Sequence, residues 1–574
     1  MMPRLSAFVL APLLLGACTT IPGESPARTA GPDTLATGMV SAADPRAAAA
    51  GAQILRQGGS ATDAAIAVML ALTVVEPQSS GIGGGGFYVH AAPDGTVETI
   101  DGRETAPAEA GPGWFLGPDG APMPFMDAVI GGRSVGVPGN IALAALAHRD
   151  HGVLPWADLF APAIALAREG WSLSQRGAEF AANARNRSAH EAAGRALFFD
   201  ADGTVRPVGT RLTNPALADT LQAIAAGGPR AFYRDRAEAL AQHVAAATPG
   251  EAAMRAADLQ DYAAAEREPL CGTYRRYRIC GMGPPSSGAT TVLAILGQLE
   301  RFDMAALGPQ SATAWHLFAE SQRLAYADRE LYLADSDFVS VPAAALVDPD
   351  YLATRSQLLS VDNRMASVAA GRPGVPQACA GCAADGDEPP ENGTSHFAVV
   401  DAGGNAVSYT STIEGPFGSG LMFGGFYLNN ELTDFSFSPQ RDGVPVANRV
   451  EGGKRPRSSM APTMVFAPDG RLVLAIGAAG GATIPVQVSK ALIGYIDWGL
   501  SAQDAIALPL LFSPGDGVTL EQGSTLVTLR PALEALGHPV AVRDLPLKAN
   551  AVEWRDGRWI GAFDPRSEGA AVAP

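Results

Sequence analysis

Basic side chains are scarce in this sequence. The 574 residues include 41 Lys and Arg against 58 Asp and Glu, a formal charge of −17. That balance excludes a sequence-independent grip on nucleic acid, which needs clustered cations. An anionic group on a substrate would have to be met by a local basic residue. Charged residues make up only 17% of the chain and hydrophobic ones 47%, which excludes disorder and suits several domains or one large two-layer core. Long apolar runs are also lacking past the N-terminal segment. Ala64 to Val75 is apolar on nearly all sides, but it is too short to span a bilayer and keeps company with Asp63 and Thr73, so it reads as a buried helix. No internal repeat is evident.

Common catalytic signatures are missing too. There is no H-E-x-x-H, and His148 and His151 lack the accompanying Glu and third ligand, which speaks against a catalytic metal. No G-x-S-x-G elbow offers a serine nucleophile. "GIGGGG", Gly81 to Gly86, fits G-x-G-x-x-G, but the strand-like Phe87-Tyr88-Val89-His90 follows it, whereas a dinucleotide fingerprint must open a helix.

Cysteine is sparse, with five in the chain. The first belongs to a targeting segment, "MMPRLSAFVLAPLLLGACTT". Arg4 is its positive region and Phe8 to Leu15 its apolar one. Leu15-Gly16-Ala17-Cys18 is similar to the lipobox at which bacterial lipoproteins are cut and acylated on Cys18, and a plain secretory signal cut near Ala17 is the alternative. Both readings export the protein, to the periplasm in a bacterium, with contact to a membrane only through a lipid anchor. Residues 1–18 are read as signal and 19–35 as tether. In "CGTYRRYRIC" a two-residue turn at Arg275-Arg276 sets Cys271 opposite Cys280 at a non-hydrogen-bonded pair, where a cross-strand disulfide fits. Cys379 and Cys382 in "CAGC" are candidates for a second local disulfide or, with the first pair, for a zinc site; an oxidising compartment favours disulfides.

The pattern from residue 36 onward is mixed α/β. Asp44-Pro45 caps a helix that Gly58-Gly59 stops, and Ser60 to Asp63 is a capping box for the buried helix. Strands are predicted over 86–90, 95–101, 394–400, 406–412 and 471–476, and helices over 214–226, 235–247, 289–300 and 313–330. Residues 369–393, rich in Pro, Gly and acidic residues, offer nothing to a core. They end abruptly at a strand that starts with Thr394.

A Thr hydroxyl is a weak nucleophile unless a base adjoins it, and the α-amino group of an N-terminal Thr is one such base. A break at Gly393-Thr394, after an unstructured loop, would create that arrangement. In "RLVLAIGAAGGATIPVQVSKALIGYI" an apolar strand runs through Gly477 to Gly481 into a helix, so the amides of Gly480 and Gly481 are candidates to stabilise an oxyanion or simply form a tight turn.

Thr394-Ser395-His396, Gly404-Asn405, Val407-Ser408, Thr410, Thr412-Ile413-Glu414 and Phe417-Gly418 resemble the signature of the γ-glutamyltransferases, or glutathione hydrolases. The resemblance extends through "GGGGFYV", "DGRETAP", "PPSSGATT", "LNNELTDFS", "GGKRPRSSMAPT" and "AFDPRSEG" and covers nearly the whole chain after residue 36. It implies an N-terminal nucleophile (Ntn) hydrolase, an αββα sandwich made as a proenzyme without metal or organic cofactor. Self-cleavage would leave a large chain, 36–393, with 369–393 as its tail, and a small catalytic chain, 394–574. Thr394 would attack the γ-glutamyl amide of glutathione or another γ-glutamyl compound, and water or an amino acid or peptide acceptor would resolve the ester.

Within that pattern Thr412 lies beside the Thr394 hydroxyl, and Gly480 and Gly481 form the oxyanion hole. Arg103, Ser458 and Ser459 hold the glutamyl α-carboxylate, while Glu431 and Asp434 hold its α-ammonium. An Arg fork, two hydroxyls and two carboxylates suit a zwitterion. Three departures stand out: Glu414 where familiar members have Asn, Ala398 where they have Ser or Thr, and a segment between Asp434 and Ser458 that is shorter and lacks a lid tyrosine. The alternatives are a related Ntn amidase, such as a glutaryl or cephalosporin acylase or a poly-γ-glutamate hydrolase, and an uncleaved γ-glutamyl-binding envelope protein.

Overall fold

The chain builds two antiparallel sheets that lie face to face between helices. The computed structural model describes residues 38–250, 252–374 and 393–574, and these belong to one unit running from Ala36 to the C terminus. The signal and tether, Cys18, Cys379 and Cys382 lie outside the described residues, as does most of the predicted tail. Among the described residues no helix is long and apolar enough to cross a membrane.

The elements that position the site are, in chain order, β1 (Met39–Ala42), α1 (Pro45–Arg56), α2 (Ala61–Val75), β2 (Gly85–Ala91), β3 (Val97–Gly102), α3 (Asn140–His151), β4 (Ala265–Arg267), β5 (Leu270–Tyr274), β6 (Tyr277–Gly281), α4 (Gly288–Leu299), α5 (Ala312–Tyr332), β7 (Gly393–Val400), β8 (Ala406–Glu414), β9 (Thr463–Phe466), β10 (Leu472–Ala479), α6 (Ile484–Ile496), β11 (Lys548–Arg555), β12 (Arg558–Phe563) and β13 (Ala570–Val572). One sheet has the order β13-β1-β7-β8-β2-β3-β4 and the other β12-β11-β10-β9-β6-β5. Helices α1 and α2 cover the first sheet, and α4 and α6 cover the second, with α5 packed on α4. This is the αββα order that the resemblance implies.

Local chemistry explains why the helices start where they do. Asp44 accepts from the Arg46 amide at 2.8 Å with Pro45 in the first turn. Ser60 and Asp63 exchange bonds of 3.1 and 3.0 Å, completing the capping box. All of α2 is buried, as its unbroken apolar composition requires. The hairpin turn at Arg275 and Arg276 takes positive φ at both positions, and Cys271 and Cys280 form a disulfide across it.

Between the sheets β10 runs past the end read from sequence, because Gly477 belongs to the strand. Its missing side chain makes room for His396 of β7, whose Cε1 a Cβ would approach to 2.4 Å. Ser408 of β8 stitches the same interface, donating to the Ile476 carbonyl at 3.1 Å and accepting from the Thr463 amide at 3.1 Å. Ala398 is fully buried there, in a cluster with Met464, Ala475 and Val552, so a small apolar residue fits that departure from the family pattern. Strand β3 starts two residues later than predicted, since Ala92 to Thr96 form a turn closed by an Ala92 N–H to Thr96 carbonyl bond of 2.9 Å.

Candidate active site

Strands β7 and β8 place two threonines side by side. Thr394 and Thr412 are register partners, and the ladder then slips between Thr412 and Glu414. Thr412 is the hub. Its hydroxyl accepts from Thr394 Oγ1 at 3.2 Å and from the Glu414 amide at 2.8 Å, and donates to the Gly393 carbonyl at 2.8 Å. Thr394 is 4% exposed. The Gly393-Thr394 peptide, its flanking hydroxyl and a donor to its carbonyl therefore meet in one dry place.

The glycine run that imitates a nucleotide fingerprint is required here for another reason. A Cβ on Gly84 would lie 2.0 Å from the Thr412 carbonyl, and one on Gly83 would lie 2.0 Å from that of Tyr427. The run lets one backbone lie flat against another, and β2 follows it as the sequence indicates.

Beside Thr394 is a buried cation. Lys548 Nζ lies 3.2 Å from the Thr394 carbonyl and 2.6 Å from Glu76 Oε2, which also accepts from Ser395 at 2.6 Å. Burial pushes the Lys548 ammonium below its usual range, opposed by Glu76. Lys548 is the cross-strand partner of Ala479, so the Gly480-Gly481 turn begins one residue from it. Both glycines have positive φ, and a Cβ on Gly480 would come within 2.3 Å of the Pro546 carbonyl. A single 3-10 turn at Gly481–Thr483 leads straight into α6.

The charged residues gather around Arg103. Its guanidinium bonds to Glu431 and Asp434 and donates to the carbonyls of Pro456 at 3.2 Å and Arg457 at 2.9 Å. Arg103 and Glu431 are each 1% exposed. The two residues after Arg457 are Ser458 and Ser459. Ser459 Oγ accepts from Arg329 at 2.8 Å, and the Ser458 carbonyl accepts from Ser287. Asn448 joins both ends of the 435–457 excursion, donating to the Asp434 carbonyl at 2.7 Å and accepting from the Arg457 amide at 2.9 Å. Its outer part is a hairpin with exposed Gln440 and Arg441.

Glu414, in the left-handed region at φ 69°, accepts from the side chain of Asn430. Burial first, then Asp434 and Glu431, raise its carboxyl well above the ordinary range, with Arg187 opposing. Sequence reasoning did not single out Glu104, Asn430, Arg187, Arg329, Asn448, Lys548 or Glu76. The signal for Glu104 was the very motif that exposed Arg103, "DGRETAP"; for Lys548 it was a lone cation in the strand-like "LKANAVEW".

Glu104 is fully buried, 4.0 Å from Arg103 and without a hydrogen-bond partner for either carboxylate oxygen. Burial raises it from 4.5 to about 8, against the pull of Arg103. The folded state therefore holds a proton that the unfolded chain releases, and this contribution to stability is complete below pH 4.5 and fades as pH rises through about 8. Glu104→Gln cannot titrate. Urea unfolding from pH 5 to 8 is expected to show a flatter stability profile for the variant than for the wild type; parallel profiles would refute the assignment.

With this geometry in view, comparisons place the chain. Residues 47–573 match the γ-glutamyltranspeptidase family model. The chain is 35% identical to the glutathione hydrolase proenzyme of Escherichia coli (strain K12), over 97% of each chain. It is 36% identical to the acylase ACY 1 proenzyme of Pseudomonas sp. (strain V22), over 94% of each. Among solved structures, the cephalosporin acylase from Bacillus halodurans superposes with a TM-score of 0.81 at 26% identity, covering 94% of this chain and 96% of that one. A threonine-led central strand, two facing sheets between helices and a match across nearly the whole sequence agree: the chain belongs to the γ-glutamyltranspeptidase family of Ntn hydrolases.

Proposed function

We propose that the protein is a γ-glutamyltransferase and glutathione hydrolase that makes its own nucleophile by cutting Gly393-Thr394. The observation that carries this reading is the Thr394–Thr412–Gly393 arrangement. In the uncut chain Thr394 Oγ1 adjoins the preceding carbonyl carbon, while the Thr412 hydroxyl polarises that carbonyl. Attack forms a C–O bond and breaks the peptide C–N bond, and the proton passes from oxygen to the departing nitrogen. Water then hydrolyses the ester, leaving a Gly393 carboxylate and a free Thr394 amine. An unperturbed α-amine titrates near ~7.7–8.0, suited to general-base work around neutral pH.

In turnover that amine takes the Thr394 hydroxyl proton as Oγ1 attacks the γ-carbonyl of the donor. The amides of Gly480 and Gly481 stabilise the oxyanion. The tetrahedral species collapses to a γ-glutamyl ester as the amine leaves with a proton, and water or an acceptor amine cleaves the ester. Arg103, with Ser458 and Ser459, meets the donor's α-carboxylate; Glu431 and Asp434 meet its α-ammonium, with Glu414 close to the latter pair. Before the donor arrives Arg103 holds these two carboxylates itself, so a zwitterion exchanges one set of charge pairs for another instead of stranding charges in a dry site. The N-terminal segment, read from the sequence as an export signal, supports a site of action outside the cytoplasm.

The acylase relatives make donor choice the test. Chromogenic γ-glutamyl and glutaryl anilides differ only by the α-amino group. Because a site built around a polar group rejects an analogue lacking it, kcat/KM is expected to favour the γ-glutamyl compound by roughly 10⁴-fold. A preference for the glutaryl anilide would make the protein an acylase.

A further inference from the structure

At the end of β2 remote from the threonines, three side chains converge that the sequence scattered and that the proposed reaction leaves unused. His90 of β2 and Glu98 of β3 are cross-strand partners. His151 is the last residue of α3. The two imidazoles stack with centroids 4.0 Å apart and an interplanar angle of 22°. His151 Nε2 is 3.0 Å and His90 Nδ1 is 3.4 Å from the same oxygen, Glu98 Oε2. Sequence spacing alone left His151 without a Glu or a further ligand; the fold supplies both from another hairpin.

A second observation separates this group from an ordinary surface ion pair. His90 is 4% exposed, and its Nδ1, facing Glu98, has no hydrogen-bond partner. Glu98 Oε2 lies within 3.4 Å of both ring nitrogens without closing a hydrogen bond to His90, so a buried nitrogen beside the carboxylate is left without a partner. Such orphaned groups are rare in folded proteins and ask for an explanation. A tetrahedral zinc with ligand bonds of ~2.0–2.1 Å sets its donor atoms about 3.3 Å apart, close to the spacings seen around Glu98 Oε2. Two imidazoles and a carboxylate are also donors that a borderline divalent ion accepts.

The site is held in place by its surroundings. Ser60 Oγ donates to the His151 carbonyl at 2.8 Å, and Asp63 Oδ2 accepts from the amides of Val153 and Leu154 at 3.0 Å each, pinning the chain just after α3. The β2–β3 register pins the other two ligands. Glu98, whose side chain is 54% exposed, gives the ion a route in and leaves room for a water as fourth ligand.

We propose that His90 Nδ1, Glu98 Oε2 and His151 Nε2 bind a divalent transition-metal ion of the zinc type, which clamps the β2–β3 hairpin to the end of α3. The ion has no part in turnover. His90 is five residues along β2 from Gly85, the partner of Thr412, or about 17 Å at ~3.3 Å per residue.

The test uses the full-length processed protein, free of any polyhistidine tag and stripped with a chelator. Titration with Zn²⁺ is expected to show one ion per chain at this site and a rise in melting temperature, since an ion that binds only the folded state stabilises it. Glu98→Gln and His151→Ala alter an exposed and a part-buried side chain and keep the fully buried His90. Each is expected to weaken binding by at least ~10-fold and to abolish the zinc-dependent thermal shift, with γ-glutamyl turnover unchanged. Co²⁺ should give a visible d–d spectrum without a thiolate charge-transfer band. Absence of stoichiometric binding in the wild type, equal binding in both variants, or a thiolate band placing the metal on Cys379 and Cys382 would each overturn the proposal.

Discussion

Thr394→Ala is expected to run as one uncut chain on a denaturing gel, and to lose turnover of γ-glutamyl substrates by at least ~10⁴-fold, the scale seen when a nucleophile is removed. The variant deletes a hydroxyl and a methyl from a site whose backbone is fixed by the ladder to Thr412 and its neighbours. Folding should be preserved, and near-wild-type circular dichroism would document it. Thr394→Ser is the companion: it keeps the oxygen that attacks Gly393 and loses a methyl, so cleavage is expected to continue, and the small fragment should begin Ser-Ser-His-Phe. In the wild type it should begin Thr-Ser-His-Phe. A wild type that stays intact after long incubation would sink the self-processing reading and leave the binding-protein alternative to be tested for stoichiometric uptake of γ-glutamyl ligands.

Arg103→Ala should have the second largest effect, on two properties at once. Three buried carboxylates, Glu431, Asp434 and Glu104, lie within 4.0 Å of this one guanidinium. Removing one partner of a buried pair costs about 3–5 kcal/mol, because the other charge is left uncompensated, and part of that cost will be relieved by proton uptake on the carboxylates. The denaturation midpoint should fall accordingly. Donor binding should suffer as well: kcat/KM is expected to drop on the order of 10²–10³-fold, mostly through KM, from loss of a charge-assisted bidentate contact. Arg103→Lys separates the two. A lysine restores the charge and much of the stability, but its point charge cannot reproduce the planar fork. An unchanged KM in the Lys variant would remove Arg103 from carboxylate recognition while leaving its structural part intact.

Much of this site was legible in the sequence because its chemistry is local. Capping pairs, the Arg275-Arg276 turn with its flanking cysteines, and the apolar strand running into glycines each declare themselves within about ten residues. Thr394 stood out because a segment rich in Pro, Gly and acidic residues ends at a run of strand-forming residues. What the sequence hid is whatever depends on long-range register. Lys548 meets Glu76 across 472 positions, and nothing near either residue signals the other. Glycine misled at Gly477, which looked like a strand end and is a strand interior relieved for His396, while Gly81 to Gly86, set aside from sequence as a dinucleotide fingerprint, proves to be a close backbone crossing. In both cases the missing Cβ answers a neighbour that arrives from far along the chain. His90, Glu98 and His151 follow the same rule, since only the hairpin register and the length of α3 bring them together.

Strand order carries one more consequence. In the first sheet β7 and β8, which follow Gly393, lie between β1 and β2, which precede it; in the second, β10 and β9 follow it and β6 and β5 precede it. A cut at Gly393 would therefore yield two polypeptides that never met as separate molecules. Their one-to-one stoichiometry comes from a single translation event, and no diffusional encounter or association constant governs it. Diluting the enzyme should not disassemble it, because dissociation would require unzipping central strands from both sheets, which is unfolding by another name.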